Sequence, residues 1–275
     1  PLEVSKPLSE WVYPNLRTIA MTSATLSVAQ KFEFLKERIG LSENDRVDTV
    51  RLSSPFNFEE QAILAVTADM PAPDHPDFLS DTAQYVGDIL AETGGHAFVL
   101  FTSFFALNDA SRRLESRLRS LRIALLRQGD ATRTQLLERF RADTSSVLFG
   151  TDSFWEGVDV AGDALQCVIL PRLPFRVPTE PVLQARAEAI EAAGGNAVMD
   201  YTVPMAVIKF RQGVGRLIRR KTDRGSIVIL DSRVISKHYD KIFLDSLPGY
   251  RVMTGPRKAV CAALRDFHGL RREYD

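Results

Sequence analysis

Short apolar runs without polar alternation are the feature that most constrains the fold of this chain. Six of them have the length of a strand: Gln61–Val66, His96–Thr102, Ile123–Leu126, Val147–Gly150, Leu165–Leu170 and Ser226–Leu230. Helical patterns lie between them: Ser80–Thr93, Phe104–Leu121, Thr132–Arg141 and Val203–Arg220. Uninterrupted apolar strands separated by helices are typical of parallel sheets. The sequence therefore predicts an α/β, doubly wound parallel sheet with helices on both faces and right-handed crossovers.

Two further elements are predicted near the N-terminus. Arg17–Thr22 has the pattern of a strand, and Ser27–Ile39 has the apolar stripe of a helix with Gly40 as its stop. The chain begins at Pro1 and has no initial methionine, so we expect a fragment or a processed chain. It shows no signal peptide and no apolar stretch of the roughly 18 residues that a membrane span needs.

Composition excludes several classes of protein. Of the 275 residues, 45% are apolar and 25% are charged, which is ordinary for a globular chain and excludes a fibre or a disordered tail. Cys167 and Cys261 are too few for a disulfide framework or a four-cysteine metal site, and they fit reduced thiols in a cytoplasmic protein. The four histidines show no metal-ligand spacing.

Charge is unevenly distributed along the chain. The totals balance at 35 basic and 35 acidic residues, but residues 200–275 hold 16 Lys and Arg against 8 Asp and Glu. A basic C-terminal quarter is consistent with a surface that faces phosphate groups of nucleotide or nucleic acid. A solvated basic helix face explains the same numbers.

Polar residues recur where the predicted strands end. Candidate residues of this kind are Thr102, Ser103, Gln128, Gly129, Thr151 and Ser153, and Asp231–Arg233 follow the last strand. Ligands of open parallel sheets bind at the carboxyl ends of the strands, and neutral donors there suit phosphate oxygens. Each residue taken singly is equally explained as the N-cap of the next helix. Their repetition along one edge favours a phosphate-tracking surface.

The segment Gln212–Arg220 (QGVGRLIRR) is the most specific motif. Its two glycines do not form a dinucleotide fingerprint, because the third glycine is missing and the pair lies in a helical pattern. Close packing against another backbone is one reason for glycine there. On a continuous helix Arg216 and Arg219 share one face, where they form either a phosphate clamp or a solvated stripe.

Together these segments resemble superfamily 2 helicases. Gln212–Arg219 is similar to motif VI, Phe98–Ser103 to motif IV, Gly150–Asp159 (GTDSFWEGVD) to motif V and Met21–Leu26 (MTSATL) to motif III. Ser54–Phe58 and Leu173–Pro178 are similar to segments of the DinG/XPD branch. The matches occur in family order over about residues 17–235. The resemblance implies the C-terminal RecA-like lobe of a DinG/XPD-like ATP-dependent DNA helicase.

The resemblance also assigns residue roles. It makes Arg219 the arginine finger, with Arg216 and Gln212 beside it, and it places Gly157 and Asp159 near the nucleotide. An N-cap or ion pair explains Asp159 equally well. The residues that it places on single-stranded DNA are Thr102, Ser103, Gln128, Gly129, Thr151 and Ser153. Trp155, Phe104 and Phe105 are predicted to lie in the core, although base stacking is an alternative for them.

Missing motifs limit what this chain does alone. It contains neither a G-x-x-x-x-G-K-[ST] loop nor an Asp-Glu-x-His sequence, which family members carry in a first lobe. We therefore predict that residues 1–26 are the tail of that lobe and that 27–275 form the second lobe. ATP with Mg²⁺ would be held mostly by the missing lobe, and an iron–sulfur cluster would belong to the longer protein.

The predicted partners are single-stranded DNA and the first lobe of the same polypeptide, with no membrane. By resemblance, the full protein would move 5′ to 3′, while the isolated chain would not hydrolyse ATP. The first alternative is a non-catalytic RecA-like module that binds nucleic acid. A small-molecule enzyme on a nucleotide-binding fold is a further alternative, but no acid/base pair or metal cluster in the sequence favours it.

Overall fold

The computed structural model describes residues 2–42, 44–155, 160, 162–177 and 179–269. Its centre is a seven-stranded sheet in the order β3-β4-β2-β5-β6-β1-β7, and every neighbouring pair is parallel. The strands are β1 (Ala62–Thr67), β2 (Ala97–Leu100), β3 (Ala124–Arg127), β4 (Ser146–Gly150), β5 (Cys167–Leu170), β6 (Gly225–Ile229) and β7 (Arg251–Gly255). The predicted α/β parallel sheet is confirmed.

Seven helices are longer than six residues within the described part of the chain. They are α1 (Glu33–Ile39), α2 (Phe78–Thr93), α3 (Phe104–Ser120), α4 (Arg133–Ala142), α5 (Pro181–Ala192), α6 (Val203–Val214) and α7 (Arg257–His268). Shorter helical segments are Ser5–Pro7, Leu8–Val12, Tyr13–Asn15, Phe58–Gln61, Asp152–Trp155, Gly162–Ala164, Val198–Thr202, Arg233–Ser236 and Asp240–Asp245.

The chain divides into two compact units. The helical unit contains Pro1–Ser53, Pro174–Arg211 and Lys241–Leu247. The sheet unit contains Ser54–Leu173, Gln212–Asp240 and Pro248–Asp275, and it holds all seven strands. Whether residues 1–26 belong to a first helicase lobe stays a prediction.

Both faces of the sheet are covered in the sheet unit. Successive side chains of a strand point to opposite faces. In β2, Ala97 and Val99 join a buried cluster that includes residues of α2, α3 and α7. Phe98, between them, packs against Phe140 of α4 with ring centroids 4.6 Å apart. Burial on both faces explains why the strands read as continuous apolar runs.

Several predicted elements differ from the structure. Arg17–Thr22 forms no strand, and its apolar residues Ile19 and Met21 are exposed, as is the preceding Leu16. The helix predicted over 27–39 begins only at Glu33, because Ala29 and Gln30 adopt positive φ in a tight turn between Val28 and Lys31. Gly40 ends it in a left-handed conformation, as predicted.

The largest difference concerns the predicted helix Val203–Arg220. It ends at Val214, so the arginines that follow lie in a turn and an irregular segment. The prediction that Arg216 and Arg219 share a helix face is therefore wrong. The sequence patterns also missed α5, β7 and α7.

The two cysteines and His268 of the sheet unit have shifted pKa values. Burial raises the pKa of the Cys167 thiol to about 12 and that of Cys261 to about 11, so both stay protonated at neutral pH. Burial, and to a lesser degree the charges of Arg224 and His96, lowers the pKa of His268 to about 4. The His268 Nε2 atom lies 3.0 Å from the Ser226 hydroxyl.

Candidate nucleotide and nucleic-acid site

The carboxyl edge of the sheet gathers the polar residues that the sequence singled out. Because all strands run in one direction, the residues after β3, β4 and β2 line the same edge in that spatial order. They are Gln128 and Gly129 after β3, Thr151 and Ser153 after β4, and Thr102 and Ser103 after β2. The structure thus brings all six predicted DNA-binding residues to one rim, which we call the carboxyl rim.

Gln128 and Thr151 are joined to each other. The Gln128 Oε1 atom accepts hydrogen bonds from the Thr151 backbone N–H at 2.6 Å and from its hydroxyl at 3.0 Å. Thr151 is only 5% exposed. Thr151 therefore joins the ends of β3 and β4, and its hydroxyl hydrogen is already donated to Gln128.

The other rim residues are more accessible. Ser103 is exposed and its side chain caps α3 by accepting from the Ala106 N–H at 3.2 Å, so the capping explanation holds for this residue. Thr102 is half-buried, and Ser153 and Gly129 are exposed. Gly129 has a φ of 107°, which favours glycine over any residue with a side chain.

The aromatic residues of the rim behave differently from one another. Trp155 is fully buried and its Nε1–H donates to the Phe101 carbonyl at 3.1 Å, which confirms its place in the core. Phe104 and Phe105 are 52% and 71% exposed, so the prediction that they lie in the core is wrong. They occupy the first turn of α3, where their side chains are exposed to solvent.

The packing at the end of α6 explains the first of the two glycines in the arginine-rich motif. A Cβ atom added at Gly213 would lie 2.8 and 2.9 Å from ring carbons of Trp155 and 3.3 Å from a methyl group of Leu100. Glycine is thus needed for close packing, although the neighbours are side chains and not another backbone. Gly215 lies in the turn that follows the helix.

Arg216 and Gln212 face the interior of the sheet unit. An Arg216 Nη2 atom donates to the Trp155 carbonyl at 3.0 Å, which links the turn after α6 to the segment after β4. The Gln212 Oε1 atom is buried and has no hydrogen-bond partner among the described residues. A buried acceptor of this kind is one that a bound ligand or water satisfies.

Arg219 lies on an exposed turn whose backbone is held from two sides. The Asp223 carboxylate, itself buried, accepts from the backbone N–H groups of Arg219 and Arg220, each at 2.8 Å. The Gln61 amide donates to the carbonyls of Arg220, Lys221 and Asp223 at 3.1, 3.1 and 2.8 Å. The sequence patterns did not identify Asp223 or Gln61.

The residues after β6 are structural. Asp231 is completely buried and its carboxylate accepts from the Leu173 N–H at 2.8 Å and from the Arg233 guanidinium at 2.7 and 2.9 Å.

In the helical unit, Arg211 donates to the carbonyls of Ala24, at 2.7 Å, and Ser27. The predicted nucleotide residues Gly157 and Asp159, with Glu156, lie outside the described residues.

The described residues contain no group of three or more His, Cys, Asp and Glu side chains that could hold a metal ion. The exposed Arg219 side chain can donate hydrogen bonds to phosphate oxygens, whereas the buried Gln212 Oε1 acceptor needs a donor, such as a water or an N–H or hydroxyl group of a ligand. Within the same residues, no helix is both long and apolar enough to span a membrane.

Comparison with known proteins assigns the family. A family model described as the helicase C-terminal domain matches residues 86–250. The chain belongs to this family of helicase C-terminal domains.

Relatives place it more narrowly. It is 37% identical over 253 residues to a Bacillus subtilis protein named 3'-5' exonuclease DinG, which covers 90% of this chain and 27% of that protein. It is 40% identical over 227 residues to the Haemophilus influenzae ATP-dependent DNA helicase YoaA. That alignment covers 82% of this chain and 34% of the relative. The chain therefore spans only about a third of the length of these relatives.

Solved structures agree on the fold. A structure titled XPD_Helicase matches 92% of this chain and 45% of its own with a TM-score of 0.65 at 18% identity. A structure of Saccharomyces cerevisiae Dbp5 bound to RNA and ADP BeF3 matches 86% of this chain and 51% of the Dbp5 chain. Its TM-score is 0.52 at 15% sequence identity. The resemblance to the DinG/XPD branch and the RecA-like fold are thereby confirmed.

Proposed function

We propose that this chain is the second motor lobe of an ATP-dependent DNA helicase that moves 5′ to 3′. In this proposal Arg219 acts as the arginine finger on ATP and Mg²⁺ that a first lobe holds, with Arg216 and Gln212 beside it. The observation that carries the proposal is the turn of residues 219–223, which presents the accessible Arg219 while the Asp223 carboxylate and the Gln61 amide hold its backbone.

The chemistry of the finger follows from its side chain. A guanidinium is planar, permanently charged and able to donate two parallel hydrogen bonds to phosphate oxygens. In nucleotide hydrolysis such an arginine stabilises the charge on the transferring phosphoryl group and is worth about 10³–10⁵ in rate. A fixed backbone reduces the freedom that the side chain loses when it meets the phosphate.

The carboxyl rim is proposed to hold the backbone of single-stranded DNA. Hydroxyl and backbone N–H donors contact phosphate without reading sequence, so binding should be independent of sequence and weaken as salt rises. Thr102, Ser103, Ser153 and Gly129 are the accessible candidates. Gln128 and the buried Thr151 would shape the rim more than they touch the strand.

The finger is tested in the full-length helicase. Arg219→Ala should lower DNA-stimulated ATP hydrolysis by about 10³-fold or more, and Arg219→Lys should restore little, because an ammonium lacks the planar fork. Arg220→Ala is the matched control, since its backbone N–H shares the same Asp223 carboxylate. Normal hydrolysis in Arg219→Ala, or an equal loss in Arg220→Ala, would refute the assignment. The 275-residue chain alone should hydrolyse no ATP.

The rim is tested on the 275-residue chain with a single-stranded oligonucleotide. Thr102→Glu places a negative charge where a phosphate is proposed to lie, so affinity should fall by an order of magnitude or more. Ser120→Glu adds the same charge in the last turn of α3, at the end of the helix that points to the opposite edge of the sheet, and should leave affinity nearly unchanged. Equal effects of the two variants would show that the rim is not the contact surface.

A further inference from the structure

A cavity of about 250 Å³ lies beside the carboxyl rim within the sheet unit. It opens next to the ends of β2 and β5 and is lined by Thr102 and Ser103 on one side and by Pro171 and Arg172 on another. Of the residues proposed to contact phosphate, Thr102 and Ser103 lie at this cavity, and the proposed arginine finger does not line it.

Part of the cavity wall is made of rings, although polar residues such as His75 also line it. Pro73, Pro76 and Pro171 line it together with Phe105. Phe105 is 71% exposed, although exposure of a phenyl ring to water is unfavourable. Proline and phenylalanine rings are surfaces on which another flat ring stacks, and aromatic side chains in single-strand-binding proteins serve this purpose.

Two polar groups of the cavity are available to a ligand. Arg172 is exposed and makes no hydrogen bond or ion pair with any other described residue. Thr82, which is 2% exposed, has a buried hydroxyl without a hydrogen-bond partner in the described part of the chain. A ligand with hydrogen-bonding groups at the edge of a flat ring would complement both.

Size narrows the class of ligand. Pockets for complete small molecules measure roughly 300–1,000 Å³, so this cavity is too small for a whole nucleotide cofactor. The cavity has room for a single flat heterocycle. It lies next to Thr102 and Ser103, where a base would lie if its backbone ran along the rim.

We infer that the cavity receives one nucleobase of single-stranded DNA, stacked on Phe105, while the adjoining phosphate lies against Thr102 and Ser103. This inference rests on the proposed function of the carboxyl rim. Because every base has a flat π-face, stacking on Phe105 should accept any of the four bases. The chain would thereby grip a strand by one base as well as by its backbone.

The experiment separates base from backbone. The 275-residue chain is titrated with oligo-dT and with an abasic strand of equal length, which carries the same phosphates but no bases. Stacking of a base is worth about 1–3 kcal/mol, or roughly 5- to 150-fold in affinity. We expect the native chain to prefer oligo-dT by such a factor.

Phe105→Ala should remove this preference and leave the affinity for the abasic strand unchanged. Phe105→Tyr, which keeps the ring, should retain it. Phe104→Ala is the matched control, because Phe104 is a neighbouring exposed phenylalanine that does not line the cavity. A preference that persists in Phe105→Ala, or an equal loss for both strands, would overturn the inference.

Failure of the inference is distinguishable from failure of the rim proposal. If Thr102→Glu weakens both strands while Phe105→Ala changes neither, the rim binds backbone and the cavity binds no base. If Thr102→Glu changes neither strand, the rim proposal fails and the inference fails with it.

Discussion

Replacing Gly213 by alanine should destabilise the chain through a single steric contact. The added Cβ would lie 2.8 and 2.9 Å from Cε3 and Cζ3 of Trp155, whereas carbon atoms are at their optimum about 3.5–4.0 Å apart. Either the indole or the end of α6 must therefore move by roughly 0.7 Å. The indole is fully buried and is held by its hydrogen bond to the Phe101 carbonyl, so it cannot move without loss elsewhere.

The expected magnitude follows from two opposing effects. Overpacking of a core costs about 1–3 kcal/mol, while alanine gains up to about 1 kcal/mol over glycine in a helix interior. Gly213 is the last residue but one of α6, so little of that gain applies. We expect the free energy of unfolding to fall by about 1–2 kcal/mol, with a fall in Tm of roughly 2–8 °C.

Urea denaturation of the 275-residue chain measures this change. Trp11 is 71% exposed, so the buried Trp155 should give most of the change in tryptophan fluorescence. Gly249→Ala is the control, because nothing lies within 4 Å of its added Cβ. Combining Gly213→Ala with Trp155→Phe should cost less than the sum of the single changes, with unfolding of the Trp155→Phe variants followed by far-UV circular dichroism because their reporting indole is gone. Unchanged stability in Gly213→Ala would refute the packing argument.

Three further predictions follow from hydrogen bonds and burial. Lowering the pH from about 6.5 to about 4 should reduce the free energy of unfolding by on the order of 3 kcal/mol. In the unfolded chain His268 binds a proton in that range, whereas in the folded chain, with a pKa of about 4, it does not. His268→Gln should flatten the pH profile of unfolding. Gln128→Ala removes the acceptor of two hydrogen bonds from Thr151 and should lower the free energy of unfolding by about 1–3 kcal/mol in the same urea assay. Asp223→Ala should lower DNA-stimulated hydrolysis in the full-length helicase by about 10²-fold through misplacement of Arg219, with Asp223→Asn intermediate because its amide oxygen still accepts.

The inner strands could be predicted from the sequence because burial on both faces makes them uninterrupted apolar runs. β7 could not be predicted in the same way. It is an edge strand whose residues Arg251, Val252 and Thr254 are exposed, so it shows no continuous apolar run. α5 was missed for a related reason, since Leu183 is its only buried residue and leaves no apolar stripe.

The sequence predicted that the candidate residues lie at the carboxyl rim of the sheet, but it did not predict the contacts that they make there. A parallel sheet with known strand ends already places Thr102, Thr151 and Gln128 on one rim. That Thr151 is buried against Gln128 depends on how the ends of β3 and β4 approach each other, which no local pattern encodes. The helix prediction for 203–220 failed because its apolar residues Leu217 and Ile218 are buried without being helical.

The position of β1 in the sheet has a consequence for where this chain can be shortened. β1 lies between β6 and β7, although it precedes every other strand in the sequence. A fragment cut to residues 86–250 would keep the match to the family but lose β1, β7 and α7, together with the Gln61 amide that holds the Arg219 turn. The buried apolar strand β6 would become an open edge, which is a template for aggregation. A soluble fragment therefore has to extend from about residue 54 to the end of α7 at His268.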